Sequence, residues 1–178
     1  MLRLFAALPI RDDVANWLEP MQGNVSGASW RPRLNFHITL RFFGEISRDL
    51  AVDLDLALAE IQAPQMKLKL AGAGFFGSRE PYALWAGVAY DEALGALSGE
   101  CERVARRLGL PPEKRKFQPH VTLAYCHGTS LEAASNFARR YEASESQPFW
   151  ADRFHLYSSQ LGQGPSRYTA EAEYPLAG

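Results

Sequence analysis

Cysteine is scarce in this sequence, with only Cys101 and Cys126 among 178 residues. Two thiols are too few for the disulfide framework on which small secreted domains depend, so we expect a reducing compartment, the cytoplasm. Long apolar runs are missing as well. The opening MLRLFAALPI is stopped by Pro9 and the charged residues that follow. It predicts a first strand rather than a membrane span or a cleaved leader, so we expect no membrane partner.

An excess of charge of one sign is also missing, because 19 Lys and Arg against 20 Asp and Glu give a formal net charge of -1. Proteins that bind a long stretch of nucleic acid usually carry a strongly basic surface. We therefore expect any nucleic-acid substrate to be held at an end or as a short fragment. One basic segment, Lys114, Arg115 and Lys116, lies just before His120. It is either a solvated loop or a set of substrate contacts.

No segment has low complexity or the composition of a linker, which favours a single domain over 1–178. Within it, hydrophobic periodicity predicts alternating strands and helices. The predicted strands are 2–8, 35–43, 66–77 paired with 82–90 as a hairpin, 120–126, and two around 149–158 and 167–174. The predicted helices are 11–22, whose end Pro20 should disturb, 47–62, 91–110 and 131–143.

Two of the four histidines lie in the same four-residue frame, HITL at 37–40 and HVTL at 120–123. In a strand this frame puts the histidine and the threonine on one face, and the branched residue and the leucine on the other. A helix-bearing stretch follows each frame, which indicates a weak internal repeat. If an approximate twofold axis relates the halves, both His-Thr pairs point into one cleft.

Such a cleft suits acid-base chemistry on a phosphate ester. Imidazoles titrate near neutral pH, and threonine hydroxyls can donate hydrogen bonds to anionic oxygens. No serine or cysteine lies beside a histidine in a recognised motif, so we expect water to attack phosphorus. One histidine would deprotonate the water while the other protonates the leaving oxygen, and the residues alone do not say which. A strained cyclic phosphodiester suits this mechanism best, since it needs no metal.

The paired H-x-T-x motifs resemble those of the two-histidine (2H) phosphoesterases, and among them the bacterial RNA 2',3'-cyclic phosphodiesterases, also called 2'-5' RNA ligases. The resemblance runs nearly end to end, through RLFAALP, NFHITLRFFG, LWAGV, FQPHVTLAY and the tail FHLYSSQLGQGPSRYTAEAEYPL. It implies an α+β fold of two pseudo-symmetric lobes, each with an antiparallel sheet and helices, and an active-site groove between them.

The resemblance also implies the reaction. An RNA 2',3'-cyclic phosphate end, or a cyclic nucleotide, is opened to a 2'-phosphate, and the reverse reaction joins ends through a 2',5' linkage. By the family's assignment His37 is the proton donor and His120 the proton acceptor, while Thr39 and Thr122 hold the phosphate. No metal or cofactor is implied, and nothing in the pattern demands more than a monomer.

One position departs from the family, which often has arginine five residues after the second histidine, where this chain has Tyr125. Alternation puts residue 125 on the face opposite His120 unless the strand bulges, so the change concerns substrate preference. Arg41 is expected on the face of His37 and Thr39, where it would supply a cation or cover the rim of the sheet.

Alternatives remain open at this point. A non-catalytic module could hold a nucleotide phosphate in the same cleft, or a 2H enzyme could act on another small cyclic phosphate. A bell-shaped pH-rate profile distinguishes an enzyme from a binding module. Three aromatic residues, Phe76, Trp85 and Tyr157, are candidates to stack a base, although core packing is expected for any one of them. We expect His155 to serve in packing or at the surface.

Overall fold

The first apolar segment of the chain forms an inner strand of a large sheet. In a computed structural model that describes residues 1–178, ten strands and four α-helices follow one another. The strands are β1 (Leu2–Pro9), β2 (Ala28–Trp30), β3 (His37–Ile46), β4 (Met66–Leu68), β5 (Leu70–Phe76), β6 (Ala83–Val88), β7 (His120–Cys126), β8 (Phe149–Ala151), β9 (Arg153–Gln160) and β10 (Arg167–Pro175). The α-helices are α1 (Asp12–Leu18), α2 (Arg48–Ala59), α3 (Glu92–Arg107) and α4 (Leu131–Tyr141), with short 3-10 helices at Glu19–Met21 and Arg33–Asn35.

Eight strands form one antiparallel sheet in the order β10-β9-β1-β3-β7-β6-β5, with β2 beside β7, while β4 and β8 form a separate pair. The predicted α+β class is confirmed. At the centre of the sheet, β3 and β7 pair only at Ile38 and Val121. The strands of the two halves therefore belong to one continuous sheet rather than to a separate sheet for each lobe, and the division into two lobes stays a prediction.

The apolar residues of both motif frames are buried as predicted. Ile38, Leu40, Val121 and Leu123 are each at most 3% exposed, and they belong to the main hydrophobic core. Helix α3 packs on β3, where the hydroxyl of Ser98 donates to the carbonyl of Leu40 over 2.8 Å. The core thus supports the two motif strands from behind and leaves their polar residues on the other face.

The helix ends follow the sequence closely. The side chains of Ser47, Asp91 and Ser130 each accept a hydrogen bond from the backbone N–H three residues later, which caps α2, α3 and α4. The first helix ends at Leu18 and continues as a 3-10 turn that contains Pro20, as predicted. None of the helices is long and apolar enough to cross a membrane.

Two strand predictions need correction, and one short strand lies outside the predictions. The predicted strand 66–77 is divided, because Met66–Leu68 pairs with Phe149–Ala151 and only Leu70–Phe76 forms the hairpin with Ala83–Val88. The stretch 149–158 is divided between β8 and β9. The short strand β2 was not predicted, since three half-buried residues carry too little periodicity to indicate a strand.

Candidate active site

Both motif histidines are oriented by the residue two positions earlier. The Nδ1 atom of His37 lies 2.7 Å from the carbonyl oxygen of Asn35, and that of His120 lies 2.7 Å from the carbonyl oxygen of Gln118. Because a carbonyl oxygen can only accept, Nδ1 must carry the proton in each neutral ring. Each Nε2 then keeps its lone pair, and both rings are prepared for proton transfer at that atom.

The strand register brings the two frames together. Since β3 and β7 run antiparallel with Ile38 opposite Val121, His37 lies beside Thr122, and Thr39 lies beside His120. The four side chains are half-buried on the same face of the sheet. Each histidine is thus adjacent to the threonine of the other frame, which gives a compact set of two imidazoles and two hydroxyls.

A β-bulge follows the threonine in each motif strand. Leu40 is the extra residue where β3 pairs with β1, and Leu123 is the extra residue where β7 pairs with β6. A bulge interrupts the alternation of side chains. The fifth residue after each histidine therefore returns to the face of the His-Thr pair. These residues are Phe42 and Tyr125, which are 37% and 40% exposed.

The bulge overturns the expected placement of Arg41. This side chain is only 8% exposed and lies on the opposite face from His37, where it pairs with Glu102 of α3. It also donates to the carbonyl oxygens of Phe42 and Pro111. Its charge is therefore balanced inside the protein, and its contacts fix the chain after α3. The expectation that Arg41 shares the face of His37 and Thr39 is wrong.

Aromatic rings enclose His37. The ring of Phe5 lies 4.9 Å from the imidazole, between centroids, and Tyr168 meets it edge-on at 5.3 Å. Tyr157 lies 6.4 Å away, and its hydroxyl is 2.9 Å from Nδ1 of His155. The Nε2 atom of His155 is in turn 3.1 Å from Glu173. His155 thus serves in packing and hydrogen bonding beside the site, as expected.

The imidazole of His120 has a similar aromatic wall. Phe76 meets it edge-on at 4.8 Å, and Trp85 lies 6.1 Å away. Gly74 makes this possible, because a Cβ there would lie 2.3 Å from the indole ring of Trp85. Phe76 and Trp85 therefore contact the catalytic candidates directly, and neither is purely a core residue.

Burial shifts the titration of both histidines. Desolvation lowers the pKa of His37 to about 4; the hydrogen bond to Asn35 opposes this, and the charge of His120 lowers the value further. Desolvation likewise lowers the pKa of His120, with the hydrogen bond to Gln118 opposing and Arg115 adding to the decrease. Both rings are therefore neutral at pH 7 until an anion binds between them.

A groove of about 650 Å³ opens from the site on the side of His120. Its walls include Thr39 and His120, with Arg115 and Lys116 from the basic segment. Lys114 is not among the residues that line it. Four aromatic residues also line it: Phe42, Phe76, Tyr82 and Phe117. The ion-paired Arg41 and Glu102, as well as Glu113, lie along the same groove. No cluster of three or more His, Cys, Asp or Glu side chains is arranged around a common point.

Comparison with known proteins identifies the family. A model of the 2'-5' RNA ligase superfamily matches residues 10–163. The chain belongs to this superfamily. The resemblance seen in the paired H-x-T-x motifs is thereby confirmed, and the match includes both motif strands and the basic segment.

Members of the superfamily give the degree of similarity. The RNA 2',3'-cyclic phosphodiesterase of Aeropyrum pernix is 41% identical over 96 residues, which is 53% of this chain and 54% of the relative. That of Geobacillus stearothermophilus is 28% identical over 98% of this chain and 57% of its own length. The chain thus spans little more than half the length of these two relatives. The crystal structure of Escherichia coli LigT complexed with 3'-AMP has the same fold, with a TM-score of 0.80 at 24% identity over 98% of both chains.

Proposed function

We propose that this protein hydrolyses RNA 2',3'-cyclic phosphate ends to 2'-phosphates, without a metal. One observation carries the proposal: the two His-Thr frames lie on adjacent antiparallel strands, with Nε2 of each histidine free. Two positioned imidazoles suffice for general acid-base attack of water on a phosphodiester. The relatives from Aeropyrum pernix and Geobacillus stearothermophilus, both named RNA 2',3'-cyclic phosphodiesterases, support the same substrate.

The reaction follows from the proposed roles. Water attacks phosphorus while Nε2 of His120 takes a proton from it. The bond from phosphorus to the 3' oxygen breaks, and that oxygen receives a proton from Nε2 of His37. The hydroxyls of Thr39 and Thr122 donate to the non-bridging oxygens as charge develops on them. The product is a 2'-phosphomonoester. His120 then loses its extra proton to solvent and His37 regains one.

The lowered pKa of His120 is compatible with its proposed role as the base. Arg115 helps to keep His120 neutral, which is the state that a base requires. His37 has to be protonated before it can donate, although burial lowers its pKa to about 4 in the free protein. The negative phosphate raises the pKa of an adjacent imidazole, because it stabilises the charged form. Substrate binding therefore favours the protonated form of His37, the proposed acid.

The substrate is an RNA end, a short oligonucleotide or a cyclic nucleotide. The net charge of -1 favours contact with a short segment of RNA over contact along an extended RNA backbone. Arg115 and Lys116, which line the groove beside His120, are proposed to contact the substrate there. The reverse reaction would join ends through a 2',5' linkage, and hydrolysis should dominate in water. We also propose that the enzyme acts as a monomer in the cytoplasm.

The test is hydrolysis of a 2',3'-cyclic nucleotide and of a short RNA with the same end, both in EDTA. We expect a 2'-phosphate from both substrates. A 3'-phosphate would contradict the proposed leaving oxygen, and loss of activity in EDTA would contradict independence from metal. A lack of turnover on both substrates would overturn the proposed activity. The exposed His127 provides a matched control, since His127→Asn should leave the rate unchanged.

A further inference from the structure

One arginine lies on the active-site face beside the second motif strand. Strand β2 pairs with β7 so that Ser29 is opposite Tyr125. The bulge after Thr122 places Tyr125 on the face of the His-Thr pair. Directly opposed residues share a face, and so do residues two apart. Arg31 therefore also points to the active-site face, which its position in the sequence between Trp30 and Pro32 does not reveal.

The guanidinium of Arg31 is held in a defined place. It lies over the ring of Tyr125, with its central carbon 4.9 Å from the ring centroid. Its Nη2 donates to the hydroxyl of Ser29 over 2.8 Å, and the backbone carbonyl of Ser29 accepts longer bonds of 3.3 and 3.4 Å. A planar group fixed by stacking and by one neighbour keeps its other N–H donors free for a ligand.

No carboxylate balances this charge. Two other arginines of the site region differ, because Arg41 pairs with Glu102 and Arg115 pairs with Glu113. Arg33, two residues further along the chain, pairs with Glu19. The only polar partners of the Arg31 side chain are the two oxygens of Ser29. A half-buried guanidinium without a counter-ion is suited to bind an anion.

A tyrosine connects Arg31 to the reacting centre. The ring of Tyr168 meets His37 edge-on at 5.3 Å. Desolvation raises the pKa of Tyr168, with Tyr125 adding to the increase and Arg31 opposing it, so both residues lie close to its hydroxyl. Arg31 and Tyr125 thus belong to the end of the site next to His37. The groove with Arg115 and Lys116 opens beside His120, so Arg31 lies at a different end of the site from that groove.

We propose that Arg31, stacked on Tyr125, binds a phosphate group of the RNA end. The inference rests on the proposed function for its substrate class. The phosphate is either the reacting one or the neighbouring phosphodiester of the chain, and both present the same anionic oxygens. Arg31 is then a substrate-binding residue that an inspection of the H-x-T-x motifs does not identify.

The experiment compares two substrates and two arginines. Turnover is measured for a 2',3'-cyclic mononucleotide and for a dinucleotide with the same end, in the wild type, in Arg31→Gln and in the control Arg33→Gln. We expect Arg31→Gln to lower kcat/KM by about ten- to a hundredfold, since it removes a charged hydrogen-bonding partner. The control should change it less than twofold. A loss on both substrates assigns the reacting phosphate, and a loss on the dinucleotide alone assigns the neighbouring phosphodiester.

Binding is measured independently of turnover. The affinity for a dinucleotide that ends in a 2'-phosphate is followed by calorimetry at several salt concentrations. Arg31→Gln should weaken it and reduce the slope of log affinity against log salt by about 0.7 per lost phosphate contact. The binding measurement separates the proposed activity from the proposed role of Arg31. If the wild type shows no turnover, the proposed activity is refuted, whereas the affinity of Arg31→Gln still tests whether Arg31 binds a phosphate.

Relocating the charge provides a second variant. In the double variant Arg31→Gln with Tyr125→Arg, a guanidinium returns from the paired strand, and we expect at least half of the lost binding free energy to be recovered. Unchanged affinity and salt slope in Arg31→Gln would overturn the inference, and so would a loss that the relocated arginine leaves uncorrected.

Discussion

The surroundings of His37 and His120 follow one plan and differ in their openness. Each ring donates from Nδ1 to the carbonyl two residues earlier, each threonine precedes a bulge, and each imidazole meets one aromatic ring edge-on. His37 is enclosed by Phe5 and tyrosines, whereas His120 borders the groove with its basic segment. The comparison teaches that one local sequence pattern yields two similarly oriented imidazoles, and that their surroundings distinguish the two.

The largest expected effect comes from removing either imidazole. His37→Asn and His120→Asn should each lower kcat on a 2',3'-cyclic nucleotide by roughly 10²–10⁴-fold, as loss of a general acid or base does. The fold should persist, since both rings are half-buried on the open face. A steady-state assay with circular dichroism as the folding control checks this. Near-normal kcat in either variant would show that the two frames are not partners in one reaction.

The threonines should matter less than the histidines and about equally. Thr39→Val and Thr122→Val each remove one hydroxyl donor, and we expect a loss of about ten- to a hundredfold in kcat/KM. Thr39→Ser and Thr122→Ser keep the hydroxyl and serve as matched controls that should stay within a few-fold of the wild type. If the serine variants lose activity while the valine variants keep it, the methyl group rather than the hydroxyl is what counts.

Acidification should distinguish the enclosed histidine from the open one. The pKa of His37 is about 4 in the folded protein and about 6.5 when unfolded. Between these pH values the imidazole is protonated in the unfolded chain and neutral in the folded protein. The contribution of His37 to the free energy of unfolding is therefore highest above pH 6.5 and falls as the pH drops towards 4. His37 contributes at most about 3 kcal/mol to this decrease.

Urea unfolding at several pH values, compared with His37→Asn, isolates that contribution. The variant should lose less stability than the wild type over this range, because its side chain does not titrate. Parallel curves of unfolding free energy against pH for the two proteins would mean that His37 has the same pKa in the folded protein as in the unfolded chain. The same comparison with His120→Asn should show a change in the same direction.

The smallest expected effect concerns the basic segment. Arg115 lowers the pKa of His120, so Arg115→Gln should raise that pKa while leaving that of His37 unchanged. A histidine-selective NMR titration of the free protein measures both rings in one sample. Lys114→Gln, in the same segment but outside the groove lining, is the control. An equal shift at both histidines would indicate a diffuse effect of net charge.

The sequence predicts which face of a strand a side chain occupies where the alternation is regular, and it does not where a bulge interrupts the alternation. A period of two with buried Ile38 and Val121 was sufficient to predict that each frame shows its histidine and threonine on one face. The bulges at Leu40 and Leu123 were not visible, so Arg41 was assigned to the wrong face. A signal was present, since Leu-x-aromatic follows the threonine in both frames, as LRF and as LAY.

Contacts between distant segments account for the other omissions. Phe5 and Tyr168 both contact His37, although more than 160 positions separate them in the chain. The carbonyl groups of Asn35 and Gln118 orient the rings through the backbone, so no residue type marks them. Arg31 reaches the site only through the pairing of β2 with β7. Such placements depend on tertiary register, which local patterns do not encode.

The single junction between β3 and β7 has a further consequence. Ile38 and Val121 are fully buried, and each is the immediate neighbour of a motif histidine. Any slip of one half of the sheet against the other therefore changes the separation of the two imidazoles by a similar amount. An error of about 1 Å in the placement of reacting groups can cost a hundredfold in rate. The relative placement of the two imidazoles thus depends on two aliphatic side chains on the opposite face from the proposed substrate site.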